Sequence, residues 1–288
     1  MDEEKPIGAP EKDGTPADPM CPPNYRMEKG GGRTIYIRCD VTPKQVETLL
    51  THPGETLKES PKAKVRQVGH WVVKESEAGG AIGPMKHTLL KDRYRQAWLA
   101  AHHLRKNGVR VPEPLAYIEK TRLGLVTGTV YIAQFLTGFR NVEDFLLALV
   151  QQGAGADGLG GFLGHLADAV NGITAAGAYH ADLAGKNIFT RDGEIFFFLD
   201  LDAVRLDAVY DDEKRMKNHV QLYDSFCDAL NDTLMVPFIQ RMLTPAQDLR
   251  VWMPKVRELQ AERRAKIEAK WEKQGVRPRR IRDDLFNS

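Results

Sequence analysis

The stretch that decides the fold is HADLAGKN, residues 180–187, in which a histidine, an aspartate and an asparagine stand at the spacing H-x-D-L-x-x-x-N. It follows a segment, residues 162–173, whose apolar side chains recur with helical periodicity. After it come Ile188-Phe189, a turn predicted at residues 191–194 and the apolar run 195–199, which has the length and composition of a buried strand. We therefore expect an antiparallel hairpin that returns residue 200 to the neighbourhood of residue 187.

This spacing matches the catalytic loop of kinases. Phosphoryl transfer needs an acceptor hydroxyl held in line and metal ions that bridge the phosphate oxygens. Asp182 suits the carboxylate that orients the hydroxyl, while the amide oxygen of Asn187 and the carboxylate of Asp200 suit a hard cation such as Mg²⁺. His180 is expected to anchor the loop by hydrogen bonding. Lys186 has two open interpretations, a contact with the transferred phosphate or a solvated side chain.

The first half of the chain is predicted to be a β-rich lobe with one helix. An apolar strand, residues 71–73, ends in Lys74, as does the kinase strand whose lysine holds the α- and β-phosphates of ATP. The helix is predicted over residues 91–107 from its apolar periodicity. Further strands are predicted at residues 34–38, 64–68, 115–118 and 130–133, with a loop at 123–129 between the last two.

The second half is predicted to be mostly helical. Apolar residues recur at helical spacing near residues 162–173 and 220–230, and Asn141 is predicted to begin a further helix. The glycine-rich segment 153–161 is predicted to be a flexible connector, because a phosphate-binding loop would follow a strand and carry a fixed fingerprint. The fold class that follows is α+β, a two-lobed protein-kinase-like fold with a small antiparallel-sheet N-lobe and a mostly helical C-lobe.

Four parts of the chain are predicted on this basis. They are a disordered leader at residues 1–24, an N-lobe with the ATP-binding sheet at 25–136, a C-lobe with the catalytic loop at 137–250, and a basic C-terminal helix or tail at 251–288.

The composition is that of a soluble globular protein, with 42% hydrophobic and 28% charged residues. A net charge of only +2 gives no support for nucleic-acid binding. The three cysteines are widely spaced, which argues against a disulfide framework or a zinc site and favours a reducing compartment. Neither a secretory signal nor an apolar run approaching about 20 residues is present, so we expect a cytoplasmic protein.

The segment from Arg95 to Ala116 adds a family resemblance. Its RQAW at 95–98, GV at 108–109 and PEPLA at 112–116 resemble the lipopolysaccharide core kinases, the Kdo/heptose kinase family of Gram-negative bacteria. The catalytic loop and the Asp-Leu-Asp at 200–202 are similar to that family as well. The resemblance implies a protein-kinase-like fold, ATP and Mg²⁺ as cosubstrates, and transfer of the γ-phosphoryl group to a sugar hydroxyl of the lipopolysaccharide inner core.

Position by position, the resemblance also implies roles for individual residues. Asp182 is the catalytic base, Asn187 and Asp200 are the metal ligands, and Lys74 binds the ATP phosphates. The hinge that reads adenine through backbone groups corresponds to the segment from Gln134 to Leu136.

Two departures from the kinase pattern leave the partner of Lys74 open. No G-x-G-x-x-G precedes this lysine, and residues 57–64 are polar and basic instead. This segment has two open interpretations: it contacts phosphate, or it is a solvated hairpin. At the helix positions where protein kinases carry a glutamate for this lysine, the chain has Gln96 and Ala97.

Two other functions therefore stand beside a sugar kinase. One is a kinase of the same fold that acts on a protein or a small alcohol. The short passage from Ala203 to Asp212 leaves little room for an activation loop, which disfavours a protein kinase. A pseudokinase scaffold is favoured by the two departures and disfavoured by the intact Asp182, Asn187 and Asp200.

The C-terminal end is strongly basic. Residues 255–282 contain eleven lysines and arginines and four acids, with a sparse apolar stripe. Two interpretations are open: a basic helix that lies on the anionic inner face of the inner membrane, or a solvated helix packed on the large lobe.

Overall fold

Seven antiparallel strands form the N-terminal lobe in the computed structural model, which describes residues 18–60, 63–77, 92–206 and 208–275. The strands are β1 (Tyr25–Gly30), β2 (Arg33–Arg38), β3 (Glu55–Ser60), β4 (Ala63–Val68), β5 (Trp71–Glu77), β6 (Pro114–Arg122) and β7 (Leu125–Gln134). They pair in the order β1-β2-β6-β7-β5-β4-β3. The predicted antiparallel N-lobe sheet is confirmed, with β1 and β3 as additional edge strands.

The hairpin between β6 and β7 is tighter than the sequence indicated. The predicted loop at 123–129 is wrong, because only Leu123 and Gly124 separate the two strands. Both residues have positive φ, 51° and 78°, which is the backbone of a type I′ turn that matches the twist of the flanking strands. Leucine is an uncommon first residue for such a turn, and its side chain is 95% exposed.

Two helices are described in this lobe. Helix α1 (Pro43–Thr51) begins at a capping box, in which the Thr42 and Gln45 side chains satisfy each other's backbone N–H groups. Helix α2 (Arg93–Lys106) confirms the helix predicted at 91–107, and its Trp98 is fully buried. The Trp98 indole Nε1 donates to the Met20 carbonyl at 3.0 Å, and Met20 is itself buried. The packed core therefore already includes a residue of the predicted leader, Met20. Residues 1–17 of that leader lie outside the described part of the chain.

The C-terminal lobe is mostly helical, as predicted. Its helices are α3 (Val142–Gln151), α4 (Ala156–Ala175), α5 (Asp212–Phe226), α6 (Asp232–Arg241) and α7 (Leu249–Lys273), and its short strands are β8 (Arg140–Asn141), β9 (Tyr179–His180), β10 (Ile188–Thr190), β11 (Phe196–Phe198) and β12 (Val204–Arg205). One apolar core continues from α2 through α4 and α5 to the first half of α7.

The glycine-rich segment 153–161 is not a connector throughout. Helix α4 begins at Ala156 and runs through it. A Cβ atom at Gly160 or Gly164 would already lie within 4 Å of Leu234 or Arg241 on α6. Helices α4 and α6 pack against each other along this segment, and this tertiary packing outweighs the low helix propensity of glycine.

Candidate active site

The catalytic loop lies between two short strand pairs that fix both of its ends. β9 pairs with β12, where His180 lies opposite Val204, and β10 pairs with β11, where Ile188 lies opposite Phe198. The Leu199 N–H donates to the Asn187 carbonyl at 2.8 Å. The predicted hairpin is confirmed, and it brings the chain at residue 200 back beside residue 187.

His180 holds the loop from inside, as predicted. Its side chain is fully buried, and its Nε2 lies 2.9 Å from the Leu199 carbonyl while its Nδ1 accepts from the Asp182 N–H at 3.3 Å. These partners require the neutral ring with its proton on Nε2. Burial lowers the pKa of His180, which keeps this neutral form at physiological pH.

Asp182 is half-buried and has two side-chain partners from its own loop. The Asn187 Nδ2 donates to the Asp182 carbonyl at 2.9 Å and to Oδ2 at 3.0 Å, and the Lys186 ammonium lies 3.4 Å from the same Oδ2. The amide group of Asn187 thereby ties both ends of the six-residue loop segment together. Lys186 is 62% exposed, so its contact with Asp182 is solvent-screened and weak.

Asp200 sits at the point where the chain leaves β11. Its backbone is left-handed, with φ 59° and ψ 45°, a conformation that non-glycine residues adopt rarely. A 3-10 turn, Leu201–Ala203, follows directly and contains Asp202 at its second position. The side chains of Asp200 and Asp202 lie close enough together for their carboxyl groups to interact.

These two carboxyl groups face Lys74 on β5. Burial raises the pKa of Asp202, and the neighbouring Asp200 charge raises it further, while Lys74 and Arg93 oppose the shift. Burial lowers the pKa of Lys74, and the charges of Asp202 and then Asp200 oppose that shift. Asp202 is therefore the strongest opposing charge that Lys74 meets.

At the helix position where protein kinases carry a glutamate, Gln96 has a different role. Gln96 of α2 uses its side-chain amide to donate to the Val204 carbonyl at 2.8 Å, which fixes α2 against the turn that carries Asp202. Among the described residues, Asp202 has the acidic charge that acts most strongly on Lys74, and it lies outside the helix. Asp202 was visible in the sequence, but no local pattern predicted that its charge would act on Lys74 of β5.

Helix α5 supports the loop with buried polar side chains that the sequence analysis missed. Gln221 accepts from the Leu183 N–H at 3.0 Å and donates to the Ala181 carbonyl at 3.1 Å, and Asn218 donates to the His180 carbonyl at 2.8 Å. Both side chains are almost fully buried. The only signal in the sequence was a pair of polar residues three apart at the start of a predicted buried helix.

The other side of the loop rests on α3. The Glu143 Oε1 accepts from the Lys186 N–H at 3.1 Å, and Ser225 Oγ accepts from the Gly185 N–H at 2.9 Å. A Cβ atom at Gly185 would lie 2.7 Å from the Glu143 Cγ, so the close approach requires glycine there. Burial raises the pKa of Glu143, while its hydrogen bonds from Ser225 and Lys186 oppose the shift.

The predicted adenine hinge follows directly from β7. Gln134 lies opposite Trp71 on β5, three residues beyond the Tyr131 that pairs with Lys74. The Gln134 N–H already donates to the Glu113 carbonyl at 2.9 Å, so an adenine contact needs another group of this segment. Leu136 is buried at the same place. The predicted hinge at the end of β7 and Lys74 on β5 therefore lie on adjacent strands.

The β3–β4 hairpin occupies the position of the absent glycine loop. Lys58 lies close enough to Lys74 to contribute to lowering its pKa. The Ser60 hydroxyl donates to the Ala63 carbonyl at 3.2 Å and so closes the hairpin. The β3–β4 hairpin therefore contributes a positive charge, that of Lys58, near the positive charge of Lys74 on β5.

The basic C-terminal helix is packed on the large lobe along its first half. Trp252, Met253 and Val256 of α7 are buried, and the Arg257 guanidinium pairs with Asp232 at 2.8 Å. The predicted tail from residue 251 therefore starts inside a helix that belongs to the lobe. Residues 276–288 lie outside the described part of the chain.

The donor groups of the site are oxygens. In the described part of the chain no three histidine, cysteine or acidic residues are grouped to hold a metal ion. A cation at this site would instead have the Asp200–Asp202 carboxyl pair and the Asn187 amide oxygen. Two like-charged carboxyl groups held together are the chemistry that a hard divalent cation stabilises.

Comparison with known proteins defines the class first. The architecture is similar to the solved structure of WaaP in complex with acyl carrier protein, with a TM-score of 0.57, 18% sequence identity, and coverage of 78% of this chain and 92% of that chain. A 2.2 Å crystal structure of WbdD matches at a TM-score of 0.43 and 15% identity over 71% of this chain and 45% of that chain. No curated protein sequence matches. The chain has the kinase-like fold of WaaP.

The family follows from a sequence match. The model of the lipopolysaccharide kinase (Kdo/WaaP) family matches residues 62–236, more than half of the chain and all of the catalytic loop. The protein belongs to this family and is a kinase, and its family implies the use of ATP. None of the helices in the described ranges is long and apolar enough to cross a bilayer.

Proposed function

We propose that this protein transfers the γ-phosphoryl group of ATP to a sugar hydroxyl of the lipopolysaccharide inner core, on Kdo or heptose. The proposal is supported by two observations: the charges of Asp200 and Asp202 act on Lys74, and the charges of Asp200 and Asp182 both act on His180 of the catalytic loop. An acceptor-orienting acid, a cation-binding pair and a phosphate-binding cation are the parts that phosphoryl transfer requires.

Asp182 is the group we assign to the acceptor hydroxyl. Its contacts with Asn187 and Lys186 both fall on Oδ2, so Oδ1 is the oxygen that would accept the hydroxyl proton. His180 and Gln221 hold the backbone on either side of it, which limits the motion of this carboxylate. Such positioning is a large part of catalysis when the protein does little covalent chemistry.

Asn187 and Asp200 are the proposed ligands of Mg²⁺. The two Nδ2 contacts of Asn187 are directed to Asp182, which leaves Oδ1 of that amide for a cation. Mg²⁺ held by these two residues would supply neutralisation of the charge that develops on the phosphate during transfer. Lys74 would hold the α- and β-phosphates, and backbone groups between Gln134 and Leu136 would hold adenine.

The proposed location is the cytoplasm, with peripheral contact to the inner face of the inner membrane. The acceptor is part of a lipid-anchored glycan, so the kinase has to work close to that surface. The outward basic residues in the second half of α7 can supply electrostatic attraction to anionic lipids; Lys266, for example, is 80% exposed.

Mass spectrometry of lipopolysaccharide from cells with and without the gene tests the proposal. The deletion is expected to remove one phosphate from an inner-core sugar, and a plasmid copy of the wild-type gene is expected to restore it. An unchanged phosphate content would refute the assignment of the acceptor and would direct attention to a protein or small-alcohol acceptor. Fragmentation of the restored glycan would identify Kdo or heptose as the modified sugar.

A further inference from the structure

A cavity opens beside the catalytic loop within the C-terminal lobe. It has a volume of about 300 Å³. The start of α3, the catalytic loop, α5 and the second half of α7 form its walls, and the lining side chains that matter here are Glu143, Lys186, Asp224, Ser225, Arg263 and Trp271.

The cavity is directly connected to the reacting centre. Lys186 belongs to its wall and lies 3.4 Å from Asp182 Oδ2 through its ammonium group. Glu143 and Ser225, which also line it, accept from the Lys186 and Gly185 N–H groups of the loop. A molecule held in the cavity would therefore lie one side chain away from the proposed acceptor-orienting carboxylate.

The polar groups of the cavity are held in fixed positions. Asp224 has a side chain that is only 11% exposed, and it accepts from Arg264 Nε at 2.8 Å and from Arg263 Nε at 3.2 Å. Gln260 Nε2 donates to the same carboxylate at 2.8 Å. Asp224 thereby orients two guanidinium groups, whose remaining N–H groups can donate elsewhere.

The mixture of groups suits a sugar better than a simple anion. Three cations, Lys186, Arg263 and Arg264, are balanced by three acids, Glu143, Asp224 and Asp228, so the cavity has no excess positive charge. Sugar hydroxyls are both donors and acceptors, and they can use carboxylate and guanidinium partners at once. Trp271 is half-buried at the edge of the cavity and offers an aromatic face for the apolar face of a sugar ring.

We infer that this cavity binds a sugar ring of the acceptor, with Trp271 as the stacking surface and Arg263 as a hydrogen-bond donor. The inference rests on the proposed function, since it assigns a binding site to the proposed acceptor. It gives α7 a role in acceptor specificity. The basic helix is then part of the substrate site, in addition to any contact with a membrane.

The test is steady-state kinetics with a defined probe. The probe is deacylated lipopolysaccharide core oligosaccharide isolated from the deletion strain, which lacks the phosphate in question. Trp271→Ala and Arg263→Ala are compared with Arg250→Ala, a matched arginine on the same helix that is 91% exposed and remote from the cavity. Arg263 is chosen because Arg264 and Gln260 continue to pair with Asp224 after its removal. Trp271→Phe tests whether another aromatic face rescues binding.

Trp271→Ala removes the stacking ring and Arg263→Ala removes a hydrogen-bond donor. Each is expected to raise KM for the oligosaccharide roughly five- to tenfold. KM for ATP should stay within about twofold, Arg250→Ala should match wild type, and Trp271→Phe should recover most of the affinity. An unchanged acceptor KM in both variants, or a parallel rise in KM for ATP, overturns the inference while the proposed function stands. If wild type itself fails to phosphorylate the oligosaccharide, the proposed function is refuted and this inference falls with it.

Discussion

Replacing Gln221 with methionine tests whether α5 holds the catalytic loop in its working geometry. Gln221 is 3% exposed and makes three polar contacts, to the Leu183 N–H at 3.0 Å, the Ala181 carbonyl at 3.1 Å and the Asn218 amide at 3.2 Å. Methionine has a similar length and fills the same space without strong polar atoms. The substitution therefore removes the hydrogen bonds and leaves most of the packing.

The expected cost follows from the two backbone groups that lose their partner. A buried peptide group without a partner costs about 1–3 kcal/mol, so the two together cost roughly 2–6 kcal/mol if the loop stays in place. If the loop relaxes instead, the free energy of unfolding falls less and Asp182 moves. A displacement of about 1 Å can lower the rate about a hundredfold. We expect kcat to fall between tenfold and a hundredfold, with KM for ATP unchanged.

Urea unfolding and steady-state kinetics measure both consequences. Gln240→Met is the control, because Gln240 is an exposed glutamine of α6. It should leave stability within about 0.5 kcal/mol and kcat within about twofold of wild type. If Gln221→Met behaves like Gln240→Met in both assays, the loop does not depend on α5 and the reasoning is refuted.

Three further predictions concern charge, close packing and pH. Asp202→Asn should weaken Mg²⁺-dependent ATP binding roughly tenfold in calorimetry, because Lys74 loses its strongest opposing charge. Gly185→Ala should lower the melting temperature and kcat together, since its Cβ would lie 2.7 Å from the Glu143 Cγ. Burial lowers the pKa of His219 to about 3 from 6.5, so its neutral form contributes stability that is complete above pH 6.5 and is lost as the pH falls toward 3. Urea unfolding at pH 5 should show about 2 kcal/mol less stability from this residue than at pH 7, and His219→Gln should reduce the difference.

Each of the three has a clear contrary result. Unchanged ATP affinity in Asp202→Asn would mean that Lys74 is held by something else. A Gly185→Ala protein with wild-type melting temperature would show that Glu143 moves aside freely. Equal stability at pH 7 and pH 5 would show that protonated His219 is tolerated beside Trp252, whose indole Nε1 now donates to its Nδ1 at 2.9 Å.

The parts of the site that could be predicted from sequence are those built from local chain. The loop, the turn after it and the apolar strand before Asp200 occupy one continuous stretch, so their patterns determine their own pairing. The strand before Lys74 and the helix that contains Trp98 were predictable for the same reason. Family resemblance then supplied the class of reaction.

The parts that could not be predicted depend on contacts between distant segments. The charge of Asp202 acts on Lys74 after a left-handed residue and a 3-10 turn have redirected the chain beyond β11. Gln221 acts on residues about 40 positions earlier, and no periodicity reveals such a pair. The glycine-rich start of α4 has low helix propensity, and its packing against α6 favours the helix. Tertiary packing outweighs local propensity at each of these places.

The most direct measurement of the central claim is turnover by the Asp182→Asn protein with Mg²⁺, ATP and core oligosaccharide. Asparagine has the shape of aspartate and can still accept from Asn187 Nδ2, so the loop should keep its structure while losing the carboxylate. We predict that kcat falls by about a hundredfold or more, with the dissociation constant of ATP within about twofold of wild type. A variant that turns over at nearly the wild-type rate would contradict the assignment of Asp182 and the reaction proposed around it.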